Sequence, residues 1–256
     1  MKKSQNLLPA LISLIIIYSC QKDTSQDQNG SINSTRVKTY TESIISPSNG
    51  NSSHTFSISY DNEGRIISMV SAGPPVYKLV YSFPSSNKFT MDMSSSGDLL
   101  IHEDFYLNGN LFIDSTFQYN DTKDTSTEKY SYDVDQRLVR MKEYEYTKAS
   151  GAVLSNTITY SYDAAGDLVK ASGTDTNVEI YEYYTDSKYL LPMVPGPITP
   201  KSLNKVHLPK RITVRSNGWV VATADVTYTF DGKDRVTTQK AVADDGSIAV
   251  KTYTYF

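Results

Sequence analysis

The sequence predicts an all-β chain: an antiparallel up-and-down meander of consecutive hairpins, forming a large soluble barrel or a strongly curved sheet. Three observations predict it. One short phrase is written four times, as "ISYDNEGRII" from 58 to 67, "YSYDVDQRLV" from 130 to 139, "YSYDAAGDLV" from 160 to 169 and "YTFDGKDRV" from 228 to 236. Segments between turn signals alternate apolar and polar side chains, the period of a half-buried strand. Tyr and β-branched residues fill those segments, with 20 Tyr against 8 Phe and 1 Trp, and no amphipathic helical period follows the N-terminal segment.

The N-terminal segment has a different character. Lys2 and Lys3 precede an apolar run from Leu7 to Tyr18, too short to span a bilayer and suited to a signal peptide over residues 1–19. The run ends in "IYSC", which resembles a bacterial lipobox with Cys20 as the lipidated residue. Cys20 is the only cysteine, so no intrachain disulfide is available in an oxidising compartment. Residues 20–35, from "QKDTSQDQNGSINST" onward, carry too little apolar surface to fold and read as a flexible tether. The "QKD" after Cys20 is similar to the lysine-plus-acid signal that sends some lipoproteins to the cell surface. The expected location is the outer membrane, on the surface or the periplasmic face, with the lipid as the link to the membrane.

Residues 36–256 read as a single all-β domain. From Trp219 to Phe230, Val220, Ala222, Ala224, Val226, Tyr228 and Phe230 share one face, opposite Thr223, Asp225, Thr227 and Thr229. From 153 to 162, Leu154, Ile158, Tyr160 and Tyr162 are expected on one face. The phrase itself specifies a hairpin. In "YSYDAAGDLV" the strand ends at Tyr162, the Asp163 carboxylate caps turn N–H groups, Gly166 supplies a positive φ, and Leu168 and Val169 return the chain. "DVDQ" at 133–136 lacks the glycine, so its turn must differ or be strained. "DGKD" at 231–234 moves it to the second place. Tyr189 to Lys210 holds five of the ten prolines; proline cannot sit inside a central strand, so this is a long connection that covers an edge or serves function.

The tyrosine–aspartate phrase is similar to the repeats of Rhs-type shells. The whole arrangement more closely resembles an uncharacterised family of Bacteroidetes-type lipoprotein domains with a porin-like β-barrel. The residues that carry this likeness are the lipobox, the Ser/Asn-rich tether, the Tyr-Asp hairpins, "SLNKVHLPKRITV" at 202–214 and the final "VTYTFDGKDRVTTQKAVADDGSIAVKTYTYF". It implies an architecture and brings no catalytic residues. A membrane-spanning barrel is not expected. "RLVRMKEYEYT" puts Glu143 and Glu145 on one face and Arg140 and Lys142 on the other, and neither face suits hydrocarbon.

Chemistry is sparse. Net charge is −3, and without a Lys/Arg cluster no nucleic acid is expected. His54, His102 and His207 lack partners at metal-ligand spacing; His102 and Asp104 share a strand face, where an exposed pair is the simpler reading than a metal site. No cofactor, metal or nucleophile motif is present, and a non-enzymatic binding or structural role is expected. Glu143 with Glu145, and Glu179 with Glu182, are the carboxylates an envelope hydrolase would use. The candidate ligand surface is Tyr132, Tyr144, Tyr146, Tyr160, Tyr162 and Trp219. Exposed, these form a platform for a glycan or another envelope protein; buried, they are the core of a Tyr-rich sheet.

Overall fold

The computed structural model describes residues 36–48, 50–120, 125–147, 151–174, 176–185 and 207–256. Cys20, the leader, the tether and residues 189–206 of the proline-rich connection lie outside them. The strands are β1 (Val37–Ser46), β2 (Gly50–Tyr60), β3 (Ile66–Ala72), β4 (Tyr77–Ser85), β5 (Lys88–Ser95) and β6 (Asp98–Leu107). They continue as β7 (Ile113–Asn120), β8 (Thr125–Tyr132), β9 (Leu138–Thr147), β10 (Gly151–Tyr162) and β11 (Leu168–Gly173). The last are β12 (Asn177–Tyr183), β13 (Pro209–Ser216), β14 (Trp219–Phe230), β15 (Val236–Ala243) and β16 (Ile248–Tyr255). Each pairs antiparallel with its sequence neighbours, and β1 pairs with β16, so the meander closes into a 16-strand barrel. Closure leaves no unpaired sheet edge.

Alternation sorts every strand into a lumen face and an outer face. Along β14, Ala222, Ala224 and Val226 are buried while Asp225 and Thr227 are exposed. Register carries the buried set around the wall: Val226 faces Ala241, Ala241 faces Ala249, and Tyr40 faces Tyr253. The lumen side of β13–β16 is packed by Ile212, Ala224, Val226, Ala241, Ala243 and Ala249. A second cluster spreads over β1–β4, β15 and β16, with Tyr40, Ile58, Met69, Tyr81 and Tyr253 among its members. Outside, hydroxyls pair across strands: Thr39 with Thr254 at 2.6 Å, Thr41 with Thr55 at 2.8 Å and Ser43 with Ser53 at 2.8 Å. Along this part of the wall the pattern is the reverse of a lipid-embedded barrel, which is apolar outside and polar within.

All four copies of the phrase are hairpin turns of one construction. Asp61, Asp133, Asp163 and Asp231 each accept the N–H of the residue four positions on through Oδ1, at 2.8 to 3.0 Å. Each also donates its own backbone N–H to the carbonyl of that same residue across the turn. Asn108 does the same at the β6–β7 turn, capping Asn110 and Phe112. The position that needs a positive φ is Gly64 or Gly166 in two copies, but Gln136 at 64° and Asp234 at 58° in the others. The turn missing its glycine is therefore the same turn, made at the cost of a left-handed L-residue. Gln136→Gly is expected to raise stability by about 1 kcal/mol, read as a higher urea midpoint; an unchanged midpoint would refute the strain.

Three details depart from the sequence pattern. A register shift between Val214 and Arg215 puts Val220 opposite Arg215, on the outer face and away from Ala222, Ala224 and Val226. A bulge between Leu154 and Asn156 puts Leu154 opposite Tyr144, on the outer face and away from Ile158, Tyr160 and Tyr162. The proline-rich connection is shorter than expected, because Pro209 and Lys210 already belong to β13. Proline is tolerated there as the first residue of a strand.

Candidate functional site

The tyrosine of each phrase has a structural task. Tyr60, Tyr132, Tyr162, Tyr183 and Tyr255, at the ends of even-numbered strands, donate their hydroxyls to the carbonyls of Val37, Ile113, Leu138, Leu168 and Val236 at 2.5 to 2.9 Å. Tyr228 does so to Pro209 at 3.0 Å. Each acceptor is the first residue of the preceding strand, where a backbone carbonyl would otherwise be left without a partner in the rim. Burial pushes these phenols upward, Tyr60 to about 12. β4 carries Phe83 and β6 carries Leu107 at the corresponding place, and Phe89 packs between Phe83 and Phe105, with ring centroids at 6.1 and 4.2 Å.

Arginines tie one turn to the next. Arg65, Arg137 and Arg235 bond through Nε to the turn aspartate at 2.7, 2.8 and 2.7 Å. Their guanidinium groups lie over Phe83, Tyr162 and Tyr255, the aromatics that end the following hairpin. The result is an Asp–Arg–aromatic belt around one rim. The Arg235 hydrogen bond chiefly holds the Asp231 carboxyl down, to a pKa of about 2.

The sequence-derived candidates divide between two surfaces. Tyr132 and Tyr162 belong to the belt, and Tyr160 faces the lumen opposite Ala171. Tyr144 and Tyr146 project from the outer wall, where Lys129 lies 5.6 Å from the Tyr144 ring and Tyr146 meets Phe117 edge-on. Trp219 stands at the opposite rim, 79% exposed. Of the other carboxylates considered, Glu143 and Glu179 face the lumen and Glu182 faces out.

Two clusters carry most of the remaining polar chemistry. The first is inside. Glu103, Glu128 and Glu143 stand on the lumen wall of β6, β8 and β9, with Glu128 directly opposite Glu143. Burial, then the neighbouring charge of Glu128, lifts Glu103 to about 7. Burial also raises Glu128, although Tyr130 donates its hydroxyl to it. Across the lumen wall at β16, burial lowers Lys251 to about 8 beside Glu42 at 3.8 Å.

The second cluster is outside, on β5–β7. His102 Nδ1 lies 2.5 Å from Asp92 and Nε2 3.3 Å from Asp104. Asp104 also takes Lys88 at 2.9 Å and the Tyr106 hydroxyl at 3.2 Å. The imidazole stacks on Tyr119 at 4.7 Å. Tyr106, Tyr119 and Tyr146 are exposed beside it. His102 and Asp104 were recognisable as a same-face pair from their spacing. Asp92 and Tyr119 join them only through strand register, which no local signal announces. Among the described residues no group of His, Cys, Asp and Glu is arranged to hold a metal ion.

The architecture has solved counterparts. A porin-like protein from Bacteroides uniformis ATCC 8492 superposes with a TM-score of 0.60 at 15% identity, over 87% of this chain and 99% of its own. One from Bacteroides vulgatus ATCC 8482 gives 0.62 at 13% identity, with the same shares covered. Identities this low establish a shared fold. No protein-family model and no curated protein matches the chain.

Proposed function

We propose that this is a lipid-tethered protein of the bacterial cell envelope whose barrel stands in water and binds through its outer wall, without conducting or catalysing. The observation that carries this reading is the assignment of faces along β1–β4 and β13–β16: hydroxyl pairs such as Thr39 with Thr254 and Thr41 with Thr55 outside, Ala, Val, Ile, Tyr and Met packed within. A hydrocarbon environment would penalise that outer face strongly. The lipobox-like end at Cys20 supplies the membrane link, and the porin-like Bacteroides neighbours support an envelope setting.

A glycan is the ligand class best suited to the wall. Exposed Tyr106, Tyr119 and Tyr146 offer ring faces, and Asp92, Asp104 and Lys88 offer oriented hydrogen-bond groups between them. The full chain should give no conductance steps in planar bilayers, and Cys20→Ala should move it from the membrane to the soluble fraction. Discrete channels would overturn the reading. On a glycan array, Tyr119→Ala with Tyr146→Ala should weaken binding about tenfold; unchanged hits would remove this wall as the site.

A further inference from the structure

The rim opposite the Asp–Arg–aromatic belt carries apolar side chains at its tips. Asn217 and Gly218, at φ of 51° and 82°, form the two-residue turn between β13 and β14. Trp219, Val220 and Val221 follow it directly, and all three are exposed. The tip is braced, because Ser216 pairs with Trp219 and the Thr176 hydroxyl donates to Asn217 Oδ1 at 3.0 Å. It also projects on one side: β15 last pairs with β14 at Ala243 opposite Ala224, so the end of β14 runs on past the β15–β16 turn. Nearby, Ile45, Ile248 and Val242 form one register row on the outer face at the same rim, with Ile45 and Val242 exposed. At the belt rim an exposed apolar side chain such as Val134 is instead flanked by Asp133 and Asp135.

We infer that this rim dips into the headgroup region of a phospholipid bilayer, with Trp219, Val220 and Val221 deepest and the wall remaining in water. The inference rests on the lipid-tethered reading, and the tether length makes the contact reachable. The chain enters the barrel at the belt rim, where the Arg36 carbonyl accepts the Phe256 N–H. Residues 20–35 extend at most about 55 Å. The 12-residue β14 runs about 40 Å, so a barrel anchored at Cys20 can stand on its other rim. The anchor holds the tip at high effective concentration beside the membrane, where weak partitioning suffices. An indole favours that depth, with its ring among acyl chains and its N–H towards water. The two valines gain by leaving water. Arg215 beside the tip is offset by Asp244 and Asp245 at the next one, so the surface it fits is zwitterionic.

Trp219 is the only tryptophan, and its fluorescence reports the tip directly. The full chain, anchored and as Cys20→Ala, is read with dioleoyl phosphatidylcholine vesicles, with and without dibrominated lipid. Trp219 emission should shift to the blue in both forms and fall about twofold with brominated lipid. Cys20→Ala should need about millimolar lipid, weak enough to fractionate as soluble. Val220→Ser with Val221→Ser should raise that requirement about tenfold. Val134→Ser, at the belt, should leave it unchanged, and added phosphatidylglycerol should not lower it. Unshifted, unquenched emission from the anchored form would overturn the proposal, as would an equal loss from Val134→Ser. If Cys20 carries no lipid, the two forms titrate alike and quenching in both still supports the rim, so the tether and the rim fail separately.

Discussion

Phe89→Ala should destabilise the barrel by about 3–5 kcal/mol, among the largest effects available to one side chain here. Phe89 is 1% exposed and lies between Phe83 and Phe105 in the stretch of the rim where tyrosine–carbonyl bonds are replaced by ring packing. Truncation loses the transfer free energy of the ring and leaves a hole that two neighbouring rings cannot both close. Urea denaturation should show a lower midpoint with an unchanged slope. Trp219→Ala offers the contrast: an equally drastic truncation at a 79% exposed position should shift stability by no more than about 0.5 kcal/mol. Equal losses from the two would mean that the rim is not what holds the lumen together.

Glu103→Gln should stabilise the protein at alkaline pH and leave it nearly unchanged in acid. The carboxyl titrates near 4.5 when unfolded and near 7 when folded, raised first by burial and then by Glu128. A raised acid pKa means the folded state holds the proton more tightly. Its contribution is full below about pH 4.5, is lost as pH climbs through about 7, and above that leaves an unfavourable buried charge. The glutamine removes that charge, so the gain near pH 8.5 should reach up to about 3 kcal/mol. Urea midpoints of both proteins at about pH 5 and about pH 8.5 measure it. A difference between them that does not change with pH would show that Glu103 is not the titrating group.

The hairpins were legible because turn chemistry is local. Asp163 and Gly166 act within four residues of each other, and the sequence shows both. Closure was harder to read: a meander of identical hairpins is consistent with either a curved sheet or a barrel, and only the pairing of Tyr40 with Tyr253 decides between them. The tyrosines illustrate the same limit. Their spacing showed that Tyr160 and Tyr162 share a face, whereas the acceptor of the Tyr162 hydroxyl is Leu138, on the preceding strand. Leu154 misled because one unpaired residue reverses every side chain beyond it. The outer cluster around His102 was half visible, since Asp104 is two residues away and Asp92 is brought there by register alone.

Closure also distributes the cost of ordering the chain unevenly. Every pairing joins strands that follow one another in sequence, except that of β1 with β16. Apart from β12 and β13, which the long proline-rich connection joins, the neighbouring pairs need only short loops, the kind of contact that forms quickly. At the remaining seam, Thr39 must find Thr254 across 215 positions, and the entropy of bringing such distant points together grows only logarithmically with their separation. The wall is thus a zipper of local steps with one late clasp, and the Phe256 N–H bonded to the Arg36 carbonyl at 3.2 Å fastens it where the chain enters and leaves the barrel.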